Sequence, residues 1–238
     1  MHFQLKKHMF KIENLDFYTK DNIVKELIKL KPTSFKTVAT VNGEMLIKGK
    51  SDPHIQHYLE TADWCLADGK SIQWWISFKA RQKCALNTGV DLVLSLLKQP
   101  HKTFYLVGSS DPILQRALLT IKNDFPTAHI CGAHNGYINS EEEKKIIEDI
   151  ILKKPDFVLV GMGSPKQERF LLTLKQILVS GIGIGVGGTF DMLGGKFNRA
   201  PKLVRRAGFE WLWRGFQDPK RVTRWGFIPK FILHIIKN

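Results

Sequence analysis

The 238 residues are 43% hydrophobic and 24% charged, which excludes a disordered or collagen-like chain and suffices for one sizeable core or two small ones. The 36 Lys and Arg against 22 Asp and Glu leave a net charge of +14, an excess that points to an anionic partner: nucleic acid, a phosphate-bearing substrate or a membrane surface. Cys65, Cys84 and Cys131 are far apart, with no CxxC and no histidine at zinc spacing, so neither a disulfide framework nor a metal knuckle is indicated, and a reducing cytosol fits.

The opening MHFQLKKHMFKIENLDF has no apolar leader core, and no stretch reaches the roughly 18 to 20 apolar residues that span a bilayer; the expectation is a chain that is not exported. From residue 35, short β-branched runs alternate with amphipathic stretches, the pattern of parallel βα units. Phe35 to Val41 precedes a helix near 51–62, and Trp64 to Ala67 one near 69–79. Thr103 to Val107 ends in Gly108-Ser109-Ser110, ahead of a helix opening at Asp111-Pro112 as N-cap and first residue. His129 to Cys131 precedes a loop from Gly132 to Asn139, after which Ser140 and three glutamates cap a helix to about Lys153. Phe157 to Val160 leads into GMGSPKQE and a further helix, and Ile182 to Val186 into GGTFD. Strands so uniformly apolar are covered on both faces. The expected fold is therefore α/β, an open doubly wound, mostly parallel sheet whose ligands gather at the carboxyl ends of the strands.

After Gly195 the composition changes. Residues 196–238 carry eleven Lys or Arg against Glu210 and Asp218, or +9 of the +14, together with Trp211, Trp213 and Trp225. They read as short basic helices with aromatic and aliphatic faces, a membrane-docking appendage (196–238) on a core of 1–195. A plainer use of Trp211, Trp213 and Phe216 is packing on the body of the fold, or a contact between copies in a homo-oligomer.

Each motif has two uses. Thr40 and Asn42 close the first βα strand, either facing the cleft or forming a plain Asn42-Gly43 turn. Asp68-Gly69 follows the next strand, where the carboxylate either caps a helix or acts as a general base toward a hydroxyl. In GMGSPKQE, Gly161 and Gly163 let backbone N–H groups approach a ligand, and Ser164-Pro165 opens a helix whose start favours a diphosphate. The stretch is neither GxGxxG nor GxxxxGK[ST]. Gly187-Gly188-Thr189-Phe190-Asp191 is a second such loop, with Asp191 suited to a sugar hydroxyl. Either loop alone is a tight turn; two on successive strands beside a basic tail favour a phosphate ligand. HExxH, DxD and EF-hand patterns are absent, so no metal and no other cofactor is expected, and arginines or helix starts are left to neutralise a leaving diphosphate.

With TVN, ADG, TGVDL, FYLVGSS, GAHNGY, VLVGMGSPKQE, GIGVGGTFDMLGGKFNRAP and FEWLWRGFQDPKRVTRW in this order, the chain resembles the WecG/TagA/CpsF family of bacterial glycosyltransferases over residues 8–226. The resemblance implies inverting, metal-independent transfer of an N-acetylmannosamine-type sugar from a UDP-sugar to a polyprenyl-diphosphate-linked saccharide at the cytoplasmic face of the membrane. Enterobacterial common antigen, teichoic acid linkage units and capsular polysaccharides are the family's products. It implies Asp68 as catalytic base, with Thr40 and Asn42 lining the same cleft. It implies that Gln167 helps hold the donor, that Gly161, Gly163, Gly187 and Gly188 shape the nucleotide site, and that Arg214, Arg221 and Arg224 contact a diphosphate. Gly108, Glu168, Asp191 and Arg199 complete the expected binding set. One departure stands before the TGVD helix start: where family members carry an acidic residue and an arginine, this chain has Ala85-Leu86, with Arg81 and Lys83 the nearby cations. Two other classes remain at this point. A nucleic-acid binder rests on charge alone, without an RNP-type motif or recognition helix; a non-catalytic UDP-sugar-binding protein draws on the Ala85-Leu86 departure.

Overall fold

A computed structural model describes residues 8–237, the side chains of 220–222, 224 and 237 excepted; the first seven residues of the opening stretch, on which the expectation about a leader was made, thus lie outside the described part. An antiparallel hairpin, β1 (Met9–Ile12) and β2 (Leu15–Tyr18), precedes α1 (Ile23–Lys29). The hairpin and α1 went unread in the sequence, because the turn is Glu13-Asn14, both at positive φ, rather than the usual Asn-Gly.

The alternating series follows: β3 (Lys36–Val41), α2 (Gly43–Gly49, not read in the sequence), α3 (Pro53–Thr61), β4 (Trp64–Ala67), α4 (Lys70–Ala80), α5 (Gly89–Leu97), β5 (Thr103–Gly108) and α6 (Asp111–Asp124). Then come β6 (His129–His134), α7 (Ser140–Lys153), β7 (Phe157–Gly161), α8 (Lys166–Ile177), β8 (Ile182–Gly185) and α9 (Thr189–Leu193). Several boundaries differ from expectation. Strand β6 runs three residues into the stretch expected to be a loop, since its backbone pairs with β5 as far as His134. The cap of α7 is Asn139, not Ser140: its side chain accepts from the Glu141 and Glu142 amides while Glu142 reaches back to the Asn139 N–H, a full capping box. Ser110 rather than Asp111 precedes α6.

The sheet order is β1-β2-β4-β3-β8-β7-β5-β6, parallel throughout except for the hairpin. Alternate strand residues feed two cores, one on each face. Ala39, Val41, Cys65, Ala67, Val158 and Val160 pack on α3, α4 and α8. Val38, Leu66, Leu106, Leu159 and Ile184 face α1, α5 and α6. Because the chain leaves β3 toward β4 and later returns through β8 on the other side, the sheet's switch point lies between β3 and β8, where open α/β sheets bind ligands.

Past Gly195 the basic segment forms α10 (Lys202–Ala207), α11 (Glu210–Gln217), a 3-10 turn (Pro219–Gly226) and α12 (Phe227–Lys237). Helix α12 returns to the core: Phe231 is buried in the cluster shared by α3 and α4, and His234 lies between Lys50 and Glu13, at 2.7 Å and 3.1 Å. No helix among the described residues is long and apolar enough to cross a membrane.

Candidate active site

The carboxyl end of β4 places Asp68 where two helices begin. The Asp68 amide donates to the Val41 carbonyl, continuing the β3–β4 ladder one residue past the strand. Gly69 then takes φ +111, which releases the chain into α4 without a side-chain cap. The commoner use of such an aspartate, capping the next helix, is therefore not made. The carboxyl group instead meets the Gly89 N–H at the start of α5.

Burial pushes the Asp68 pKa up from 3.8 to about 6; the Arg214 guanidinium opposes the rise and the carboxylates of Glu210 and Asp91 reinforce it. Both Arg214 and Glu210 come from α11, paired at 2.8 Å, so the appendage sets the charge around a core residue. Arg214 also lies over the Phe197 ring, which fixes its approach.

Asp68 lines a cavity of about 740 Å³ between the core and the appendage. Asn42, Thr88, Lys70, Ser71, Arg205, Glu210 and Arg214 supply its polar wall. Asn42 does two things, lining the cavity and capping α2 through its Oδ1, which accepts from the Met45 amide at 3.0 Å. Thr40, expected in the same cleft, is buried and does not line the cavity; its hydroxyl donates to the Gly185 carbonyl at 2.9 Å, tying β3 to β8 at the switch point.

The glycine loops lie at the ends of β5, β7 and β8, on the same edge of the sheet. A Cβ on Gly108 would stand 2.4 Å from the Gly161 carbonyl oxygen, and one on Gly161 would stand 2.8 Å from that of Gly187, so three backbones pass too closely for side chains. Gly163, at φ +76, and Gly187, at φ +51, face open space. Gln167 connects the loops: its Oε1 accepts from the Gly187 amide at 3.2 Å and its Nε2 donates to Glu168 at 2.8 Å. Asp191 accepts from the Ser109 hydroxyl at 2.6 Å and pairs with Lys196. The edge thus offers a carboxylate able to accept a proton near neutral pH, cationic side chains beside it, and backbone turns open to a phosphate.

A glycosyltransferase family model described as WecG/TagA/CpsF matches residues 8–238. The chain belongs to this family. An enzyme of Bacillus spizizenii, named N-acetylglucosaminyldiphosphoundecaprenol N-acetyl-beta-D-mannosaminyltransferase, is 28% identical over 204 residues, 84% of this chain and 79% of the relative. An enzyme of the same name from Staphylococcus aureus strain MW2 is 30% identical over the same shares. The protein is accordingly a hexosyltransferase.

Within this WecG/TagA/CpsF chain the expected residues fall into separate groups. Asp68, Asn42 and Arg214 share the cavity. Gly108, Gly161, Gly163, Gly187, Gly188, Gln167 and Asp191 belong to the neighbouring loops. Glu168 is fully buried and supports Gln167 from behind. Arg199 pairs with Asp91 at the start of α5 and does not line the cavity. The side chains of Arg221 and Arg224 lie outside the described residues. Of the departure from the family pattern, Leu86 lines the cavity, whereas Arg81 and Lys83 are exposed and do not. Among the described residues no three His, Cys, Asp or Glu side chains converge as a metal-ligand set.

Sequence reading missed Lys70, Ser71, Trp74, Phe78, Thr88, Arg205 and Glu210 as cavity residues. A signal existed for two of them. Helix α4 buries Ile72, Trp75 and Ile76 yet carries Trp74 and Phe78 at helical spacing on another face, more apolar surface than one core can use.

Proposed function

We propose that this protein transfers an N-acetylmannosamine-type sugar from a UDP-sugar to N-acetylglucosaminyl-diphospho-polyprenol, inverting the anomeric centre without a metal. The observation that carries the reading is Asp68, uncapped and pushed to about 6 by burial, at the floor of the cavity beside Arg214. Ionised at neutral pH yet basic enough to take a proton, Asp68 deprotonates the acceptor hydroxyl as it attacks the anomeric carbon from the face opposite the departing UDP. The diphosphate's growing charge is met by the open N–H turns at Gly163 and Gly187 and by appendage cations such as Arg214. The names of the relatives support the sugar and the acceptor.

The enzyme works, in this proposal, on the cytoplasmic face of the membrane. Supporting this, the C-terminal helices expose Leu203, Leu233 and Ile236 beside their lysines and arginines. The test is UDP release from UDP-N-acetylmannosamine with a short-chain N-acetylglucosaminyl-diphospho-lipid, in buffer containing EDTA. Release of UDP that requires both substrates supports the reading. Absence of transfer, or transfer only after a divalent ion is restored, refutes it in whole or in its metal-independent part.

A further inference from the structure

The cavity beside Asp68 has two unlike halves. Its polar wall gathers around the start of α4, but the remainder is apolar: Leu86, Phe209, Trp211 and Trp225 contribute, and two helices of different origin supply the rest. On α4, Trp74 and Phe78 stand about one turn apart; on α12, Ile228, Ile232 and Ile235 follow one another along the helix. The α12 row rises about 10 Å along its helix and the α4 pair about 6 Å. Trp74, Phe78 and Ile232 are 62%, 77% and 51% exposed, so large apolar surface is left in contact with water at the mouth of a reactive cavity. A nucleobase can stack on one aromatic face, but two exposed aromatics facing three isoleucines make more apolar wall than a single base covers.

We infer that the groove between Trp74 and Phe78 of α4 and Ile228, Ile232 and Ile235 of α12 holds the first isoprenyl units of the acceptor's lipid. This rests on the proposed function, which places a polyprenyl diphosphate at the same cavity. The groove is continuous with the polar half, so a chain lying in it presents its diphosphate to the Lys70, Arg205 and Arg214 side and its sugar toward Asp68. The core contributes one wall and the appendage the other. The bound chain therefore touches both α4 and α12, and the C-terminal segment reads the lipid as well as the charge.

The test uses water-soluble N-acetylglucosaminyl-diphospho-prenols carrying one, two or three isoprenyl units, below micelle-forming concentration and without vesicles or detergent. For the full-length protein the KM for acceptor should fall at least about tenfold from the shortest to the longest chain, with kcat changed little, because burying the chain is uniform binding. In Trp74→Ser/Phe78→Ser and in Ile232→Ser this dependence should flatten while the KM for the UDP-sugar stays in place. Phe216→Ser, which removes an exposed aromatic outside the cavity, should keep it. Calorimetric binding of the same compounds gives a readout independent of turnover: chain-length-dependent binding without transfer overturns the function and keeps the groove. Equal KM and affinity for all three chains, or a dependence that survives in the α4 and α12 variants, overturns the groove. A dependence that emerges only with vesicles assigns the exposed side chains to bilayer lipid instead, and also overturns it.

Discussion

Replacing Asp68 by Asn separates catalysis from stability, because the two respond in opposite directions. Asparagine keeps the shape and an oxygen for the Gly89 N–H but has no ionisable group. As a base, Asp68 should account for about 10² to 10⁴ of the rate, so UDP release should fall by that factor. As a carboxylate half-buried in the cavity wall it opposes folding. Its folded pKa is raised from 3.8 to about 6, so its favourable contribution to stability is full below 3.8 and is lost as pH rises through about 6. At 1.36 kcal/mol per tenfold, that interval amounts to about 3 kcal/mol by neutral pH. Asp68→Asn should therefore melt higher than the parent at pH 7.5, by up to about 6–12 °C at 2–4 °C per kcal/mol, and the gain should vanish near pH 4. Thermal melts at the two pH values, with UDP release at 7.5, check this. A variant that melts lower at pH 7.5, or turns over like the parent, refutes the assignment of Asp68 as a buried base. In the parent, kcat/KM should lose activity below about pH 6 as the base takes up its proton.

Arg214→Ala removes the cation that holds the Asp68 pKa down, so the acidic limb of the kcat/KM profile should move to higher pH. The activity at its optimum should drop about 10- to 100-fold, the worth of a charge-assisted contact; an unmoved limb would detach Arg214 from Asp68. Gly108→Ala should fail to accumulate as folded protein, its new Cβ meeting the Gly161 carbonyl, whereas Gly163→Ala meets open space and should cost only about 1–2 kcal/mol of melting stability for its positive φ; similar yields and melting temperatures for the two would contradict the close backbone packing. Leu233→Ser/Ile236→Ser should weaken co-sedimentation with anionic vesicles, and added salt should weaken it further, each Lys or Arg near the surface contributing about 1 kcal/mol. Undiminished binding at high salt would remove the electrostatic part of the docking.

Much of the layout was legible because apolar periodicity is local. The runs Trp64–Ala67, Thr103–Val107 and Phe157–Val160 are short and almost wholly apolar, and each falls within a strand of the structure. The hairpin at Met9–Tyr18 was not, since its four-residue strands mix polar with apolar residues and its turn carries no glycine. Helix α2 was hidden for a related reason: with a glycine at each end, Gly43–Gly49 resembles a turn until Asn42 is seen capping it. At the site, Asp68, Asn42 and Arg214 were readable from motifs. Lys70, Trp74 and Glu210 were not, because they become neighbours only when α11 and α12 return to α4.

The sequence by itself determined the alternation of strands and helices, the glycine-rich strand ends, the family and the concentration of positive charge after Gly195, all of them properties of neighbours along the chain. The tertiary structure decided how those parts are placed. Whether Asp68 caps α4 or meets the Gly89 N–H instead depends on how Gly69 turns; its basicity depends on burial beside Glu210 and Arg214, more than 140 residues later in the chain. Proton affinity and cavity shape depend on distance and dielectric, which no local pattern of residues contains.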